Sequence, residues 1–332
     1  MKVAIFGTQF YEREYFNKYN VDLKHELVFF DENLTDKTTN LAIGFKAVCV
    51  FVTDVLDKIC IDKLAKIHVE VVVLRSAGFN NVDLQAAKAH HIKVLRVPAY
   101  SPQAVAEHAV ALIMTLNRKT HKAYNQLRES NFSLQNLMGF NLFEKTVGIV
   151  GTGKIGRAFS NIMLGFGCHV IAYDIKENDG LKQKGVVYCS LDKLLADSDI
   201  ISIHCPLNDA TKHLFDTAVF NKLKKGMMLI NTSRGGIINT QDIIVALKKQ
   251  QIAYLGIDVY EHESDLFFKD LSQTVVQDDL FQRLNAFNNV LITPHQAFYT
   301  QEALVEISKI TIQNFTDFEN HLELKNEVQY LP

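Results

Sequence analysis

Six residues, GTGKIG at 151–156, join the apolar strand pattern TVGIV to the helical pattern RAFSNIMLGFG, the context in which a GxGxxG match acquires meaning. In such a turn Gly151 allows the tight bend, Gly153 removes a Cβ where backbone approaches a diphosphate, and Gly156 lets the helix pack on the strand. Lys154 and Ile155 lie along the same turn, where first-turn amides and the helix dipole favour negative charge. The next strand pattern, HVIAYD, closes on Asp174. A carboxylate there accepts from adenosine ribose hydroxyls and repels a 2′-phosphate, so NAD is expected rather than NADP, with Lys176 offsetting part of the repulsion.

A nicotinamide dinucleotide moves a hydride, and moving it to a 2-oxo acid asks for a cation on the carboxylate, an acid at the carbonyl oxygen, and a group that tunes that acid. Three strand ends offer these. Arg234 stands in NTSRGG, Glu263 in DVYEHE and His295 in TPHQAF. A planar guanidinium grips a carboxylate with two parallel hydrogen bonds. A carboxylate accepting from one imidazole nitrogen sets the tautomer and favours the protonated ring, leaving the other nitrogen to trade a proton with substrate. Taken singly, the arginine also reads as a loop salt bridge and the histidine as structural.

Alternation of strand and helix patterns supplies the elements that would position these groups. From residue 1 to 100, KVAIFG, HELVFF, AVCVFV, VEVVVL and IKVLRV alternate with polar or amphipathic stretches such as DKICIDKLAKI and NVDLQAAKAH. SPQAVAEHAVALIMTLNR at 101–118 reads as a helix opened by Ser and Pro. A second series follows: TVGIVG, CHVIAYD, DIISIHCPL, GMMLINTS, IAYLGIDVY and NVLITPH. The helix pattern TQEALVEISKITIQNFTDFENHL then returns toward the first series. The expectation is an α/β chain of two Rossmann-like domains with parallel sheets and the active site in the interdomain cleft. One domain takes 1–100 plus 299–332 and the other 101–298.

The 332 residues carry 35 Lys and Arg against 37 Asp and Glu, a balance that argues against nucleic acid and anionic membranes as partners. MKVAIFGTQFYERE lacks the long apolar core of a signal peptide, and no apolar stretch reaches the roughly 18 residues of a membrane helix. A cytoplasmic location is expected. The five cysteines show no metal-ligand spacing, so no metal is expected.

Together these segments resemble the D-isomer-specific 2-hydroxyacid dehydrogenases. GTGKIG, HCPL, NTSRGG, GIDVYEHE and TPHQAF stand in the family's order, preceded by RSAGFNNVD at 75–83 and VPAYSPQAVAEHA at 97–109. DLFFKDLSQTVVQDDLFQRL at 265–284 is similar to the branch that interconverts pyruvate and D-lactate in fermentation. The resemblance implies that Arg234 holds the substrate carboxylate, His295 is the acid-base residue, and Glu263 is paired with it. It brings the amides of Ala77 and Gly78 to the same carboxylate. To the cofactor it assigns Gly151, Gly153, Lys154, Ile155, Gly156, Asp174, Cys205, Pro206, Thr232, Ser233 and Asp258, with Cys205 a wall rather than a nucleophile. Tyr100 and Tyr299, together with Phe51 and Phe298, are aromatic candidates for the substrate side-chain wall. A homodimer or homotetramer is implied, with 101–145 the candidate interface. Rival readings are a related dehydrogenase for another 2-oxo acid and, less favoured, an NAD-sensing corepressor-type binding protein.

Overall fold

The structure, a computed structural model, describes residues 1–21 and 24–328. The last four residues of the 299–332 stretch therefore lie outside the described residues. The chain divides into two compact units, one of Met1–Ser101 with the chain from Tyr299 onward, the other of Pro102–Phe298.

The first unit holds five parallel strands: β1 (Lys2–Ile5), β2 (Glu26–Phe29), β3 (Ala47–Val50), β4 (Val71–Leu74) and β5 (Lys93–Arg96), in the order β2-β1-β3-β4-β5. AVCV and VVVL are buried along their whole length, as expected for central parallel strands covered on both faces. Their covering helices are α1 (Phe10–Tyr19), α2 (Lys58–Lys66) and α3 (Leu84–Ala89), with the returning helix near the C-terminus. Helix α1 carries little periodic signal, burying only Glu12 and Phe16. A capping box between Gln9 and Glu12 starts it.

The second unit opens with α4 (Pro102–Arg118) and α5 (Thr120–Arg128). Its seven parallel strands are β6 (Thr146–Val150), β7 (His169–Tyr173), β8 (Val187–Tyr188), β9 (Ile200–Ile203), β10 (Met227–Asn231), β11 (Ile252–Ile257) and β12 (Val290–Ile292). Their order, β12-β11-β10-β9-β6-β7-β8, runs outward in both directions from a reversal between β6 and β9. This is the doubly wound arrangement, whose crevice at the carboxyl ends of the strands flanking the reversal receives dinucleotides. Six of these strands were expected. The seventh, β8, is two residues at the sheet edge, too short to show a period. Helices α6 (Lys154–Gly165), α7 (Asp179–Gln183), α8 (Leu191–Asp197), α9 (Thr217–Phe220), α10 (Thr240–Lys248) and α11 (Asp279–Asn285) connect them.

Helix α12 (Gln301–Glu319) belongs to the first unit and buries Leu304, Ile307, Thr311, Ile312 and Phe315, a stripe at helical spacing. Asn314 on that stripe donates to the Arg96 carbonyl at 3.0 Å, tying the helix to the end of β5.

Candidate active site

Strand β6 hands the chain to the glycine turn at its carboxyl end. Gly151 lies at φ +96°, and a Cβ there would stand 2.6 Å from the Cys205 nitrogen, so the turn nests directly against the end of β9. At Gly156 a Cβ would fall 2.0 Å from the Gly151 carbonyl oxygen. Gly153 is different: a Cβ would meet nothing within 4 Å, which leaves room above the first turn of α6. The amides of Lys154, Ile155 and Gly156 open that helix without intrahelical acceptors, a ready cradle for a diphosphate.

Asp174, at the end of β7, accepts from the Thr152 nitrogen at 2.5 Å and from the Lys176 nitrogen at 3.1 Å. Burial pushes its carboxyl up, but hydrogen bonds from Thr152 and Lys176 outweigh burial and hold it below the usual carboxylate range. After β9, burial drives the His204 imidazole down to about 3, so the ring beside Phe159 is neutral. Burial also raises the Cys205 thiol to about 11, which keeps it protonated. Pro206 beside it is exposed. Ser233 donates to the Cys205 carbonyl at 2.5 Å and so ties the loop after β10 to the end of β9. In that loop the buried Thr232 hydroxyl has no hydrogen-bond partner within the protein, as a group awaiting a ligand would. An open cradle, an ionised acid at the ribose position and an orphaned hydroxyl together fit a dinucleotide.

Arg234 follows on the same loop. Asn231, buried at the end of β10, donates to the Arg234 carbonyl at 2.9 Å and accepts from the Ser233 nitrogen at 2.9 Å, shaping the bend from both sides. The guanidinium reaches the Ser233 carbonyl at 2.7 Å. Next to it, a Cβ on Gly235 would overlap the Tyr260 carbonyl carbon at 2.1 Å, so only glycine lets this loop lie against the end of β11. Glu261 braces the contact, accepting from the Thr240 nitrogen and hydroxyl and pairing with His213.

Glu263 and His295 meet. The Glu263 Oε1 stands 2.8 Å from His295 Nδ1, while its Oε2 accepts from the Tyr260 nitrogen at 2.9 Å. Both oxygens of the acid are thereby directed, and Nε2 of the histidine is the ring nitrogen that this contact does not engage. The rings of Phe268 and Phe298 stand 5.9 and 6.5 Å from the imidazole. His295 has φ +54°, a left-handed conformation that costs a bulky residue about 1–2 kcal/mol. Asp258 helps to hold it there. Fully buried, it accepts the Thr293 hydroxyl and Gln296 nitrogen on Oδ1 and the Ala297 nitrogen on Oδ2, and its carbonyl accepts from the His295 nitrogen at 2.8 Å. His108 of α4 adds its Nε2 at 3.0 Å from the Thr293 hydroxyl and 3.3 Å from Asp258. The side chain of Asp258 thus braces the loop that carries His295.

Within the first unit, the Ala77–Gly78 loop is drawn tight by Arg96, which donates to the Ala77 carbonyl at 2.9 Å, and by Ser76, which donates to the Gly78 carbonyl at 2.8 Å. Phe51 lies 5.0 Å from the guanidinium of Arg75, itself buried and paired with Glu12 at 2.6 Å. Tyr299 packs on Tyr11 at 4.6 Å. Tyr100 lies in the same unit. Thr152, His108, Thr293, Asn231 and the Arg75–Glu12 pair went unread in the sequence, because a hydrogen-bond partner remote in the chain leaves no spacing to detect. Among the described residues no cluster of acidic, histidine or cysteine side chains is suited to a metal ion.

A doubly wound sheet with a dinucleotide turn and a strand-end His–Glu pair defines the class of nicotinamide-dependent oxidoreductases. Residues 110–297 match the model of the D-isomer specific 2-hydroxyacid dehydrogenase NAD-binding domain. The chain is 49% identical to the D-lactate dehydrogenase of Escherichia coli over 328 residues, 99% of this chain and all of that protein. The apo-structure of the Escherichia coli enzyme superposes with a TM-score of 0.89 at 46% identity, covering 99% of this chain and 100% of that one. A D-lactate dehydrogenase from Aquifex aeolicus, solved with NAD and lactic acid, gives 0.89 at 32% identity over 99% and 100%. The chain belongs to the D-isomer-specific 2-hydroxyacid dehydrogenase family and is an NAD-dependent enzyme.

Proposed function

We propose that the chain reduces pyruvate to D-lactate, reversibly, with NADH. The Glu263–His295 pair carries this reading: a 2.8 Å contact that leaves one imidazole nitrogen directed for proton exchange. NADH, when bound, supplies the hydride that reaches C2 of the 2-oxo acid. Arg234 grips the carboxylate and orients it, and the amides of Ala77 and Gly78 are proposed as further donors to it. His295 donates its Nε2 proton to the carbonyl oxygen as C2 is reduced and takes that proton back in the reverse direction. Glu263 accepts from Nδ1 and fixes the tautomer, so that Nε2 is the nitrogen offered to substrate. Phe51, Tyr100, Phe298 and Tyr299 are proposed as walls around a small substrate side chain.

For the cofactor, Gly151 makes the tight turn, its own N–H bonded to the Tyr173 carbonyl at 2.9 Å, the amides at Gly153, Lys154, Ile155 and Gly156 take the diphosphate, Asp174 the ribose hydroxyls, and Cys205, Pro206, Thr232 and Ser233 line the remaining length. Asp258, which also braces the His295 loop, is proposed beside the nicotinamide. We further propose a cytoplasmic enzyme assembled as a homodimer or homotetramer; among the described residues no helix is long and apolar enough to cross a membrane.

The deciding experiment follows NADH absorbance at 340 nm with pyruvate and a panel of larger 2-oxo acids, then resolves the product on a chiral column. The expected result is D-lactate, with pyruvate turned over at the highest kcat/KM. A larger 2-oxo acid preferred over pyruvate would replace the substrate while keeping the residue roles; absence of turnover despite NADH binding would overturn the reading.

A further inference from the structure

The acid that closes β7 is held by more than the backbone. Thr152, inside the glycine turn, gives Oδ2 of Asp174 both its N–H and its hydroxyl, the latter at 3.0 Å. That hydroxyl accepts from the phenol of Tyr188 at 2.9 Å, and the phenol oxygen accepts from the Asn178 backbone N–H at 2.9 Å. A backbone amide can only donate and an ionised carboxylate can only accept. The two hydroxyls between them therefore have a single proton arrangement that satisfies every group, and it points at Asp174.

The phenol is itself well anchored. Tyr188 lies on β8, in register with Ala172 of β7. Asn178 caps α7 with its side chain on the Leu181 nitrogen. Lys182 of the same helix rests 5.9 Å from the Tyr188 ring centre and bridges Glu177 and Asp179.

We propose that Tyr188 is a positioning residue for cofactor selection: it commits the Thr152 hydroxyl to Asp174 and so keeps the carboxylate directed for ribose hydroxyls and against a 2′-phosphate. The inference rests on the reading of Asp174 as the ribose acid. Because Thr152 also belongs to the glycine turn, the chain of hydrogen bonds links the ribose end of the site to the diphosphate end. Without the phenol, the Thr152 hydroxyl loses the donor that fixes its rotation and polarises it, and its hydrogen bond to Asp174 is weakened and less directed.

The test is equilibrium binding of NADH and of NADPH, read by nicotinamide fluorescence without any 2-oxo acid, on the intact protein. Tyr188→Phe keeps ring and packing and removes the one hydroxyl. Its Kd for NADH should rise roughly three- to tenfold, the worth of one neutral hydrogen bond, while NADPH changes less, so that the preference narrows. Thr152→Ala should do the same, Thr152→Ser should restore the parent ratio, and combining Tyr188→Phe with Thr152→Ala should add little, because both act on one chain. An unchanged ratio of the two Kd values in Tyr188→Phe, with or without a lower melting temperature, would reduce the phenol to packing and overturn the proposal. Asp174→Ala separates the two claims. If it leaves NADPH discrimination intact, the reading of Asp174 fails; if it relaxes discrimination and Tyr188→Phe does not, only the role of Tyr188 fails.

Discussion

Two histidines at strand ends show how surroundings divide one residue type into different tasks. His204 after β9 is half-buried beside Phe159, and the desolvation of its ring drives the imidazole down to about 3, so that it is neutral. His295 after β12 faces a carboxylate at 2.8 Å on one nitrogen, and the other is the one proposed for proton exchange. The difference lies in Glu263, which makes it the residue to change. Glu263→Gln preserves size and one hydrogen bond but removes the charge that faces Nδ1 of His295. In pyruvate reduction, kcat should fall by roughly ten- to a hundredfold. NADH affinity should stay within twofold, since the pair lies outside the proposed nucleotide contacts. Steady-state kinetics, with NADH binding measured by fluorescence, check both points. An unchanged kcat would remove Glu263 from the chemistry.

Elements matter here through what their ends hold. Helix α4 brings His108 to Thr293 and Asp258, and these in turn hold the left-handed backbone of His295. His108→Ala should lower kcat roughly three- to tenfold, about the worth of its one neutral hydrogen bond to the Thr293 hydroxyl. His108→Gln, which can still donate, should recover part of the loss, and NADH affinity should be the same in both. Equal loss of kcat and NADH binding in both variants would mean that α4 has merely slipped. The sequence could not announce this contact. VVVL and MMLI are legible as buried strands because each is a continuous apolar run, and NTSRGG, DVYEHE and TPHQAF are legible because each closes a strand pattern. Strand β8 was not, since two residues cannot display a period, nor was α1, whose buried side chains are an acid and a phenylalanine. The groups that orient the site were hidden for another reason. His108 meets Thr293, and Tyr188 meets Thr152, through hydrogen bonds that depend on tertiary approach, and no local pattern encodes them.

Over the whole molecule, the uneven feature is the surface of the segment from α5 to β6. Helix α5 buries none of its side chains and exposes Tyr124 and Leu127, and the chain beyond it exposes Phe132 by 75%, Leu134 by 83% and Met138 by 85%. Large apolar side chains grouped in this way leave water-facing area that a partner surface would cover at about 25 cal/mol per Å². A second copy of the chain is the proposed partner. The formal net charge of only −2 means that like copies meet little long-range repulsion. Light scattering behind size exclusion, at micromolar protein, should therefore give a mass that is a multiple of 37.6 kDa. Replacing Leu134 and Met138 together by Glu should shift that mass to a single chain at the same concentration, because like charges would then face one another across a symmetric contact. Circular dichroism would establish that the variant is folded. A parent protein already at the mass of one chain would refute self-association, while a variant that keeps the parent mass would move the contact to another face.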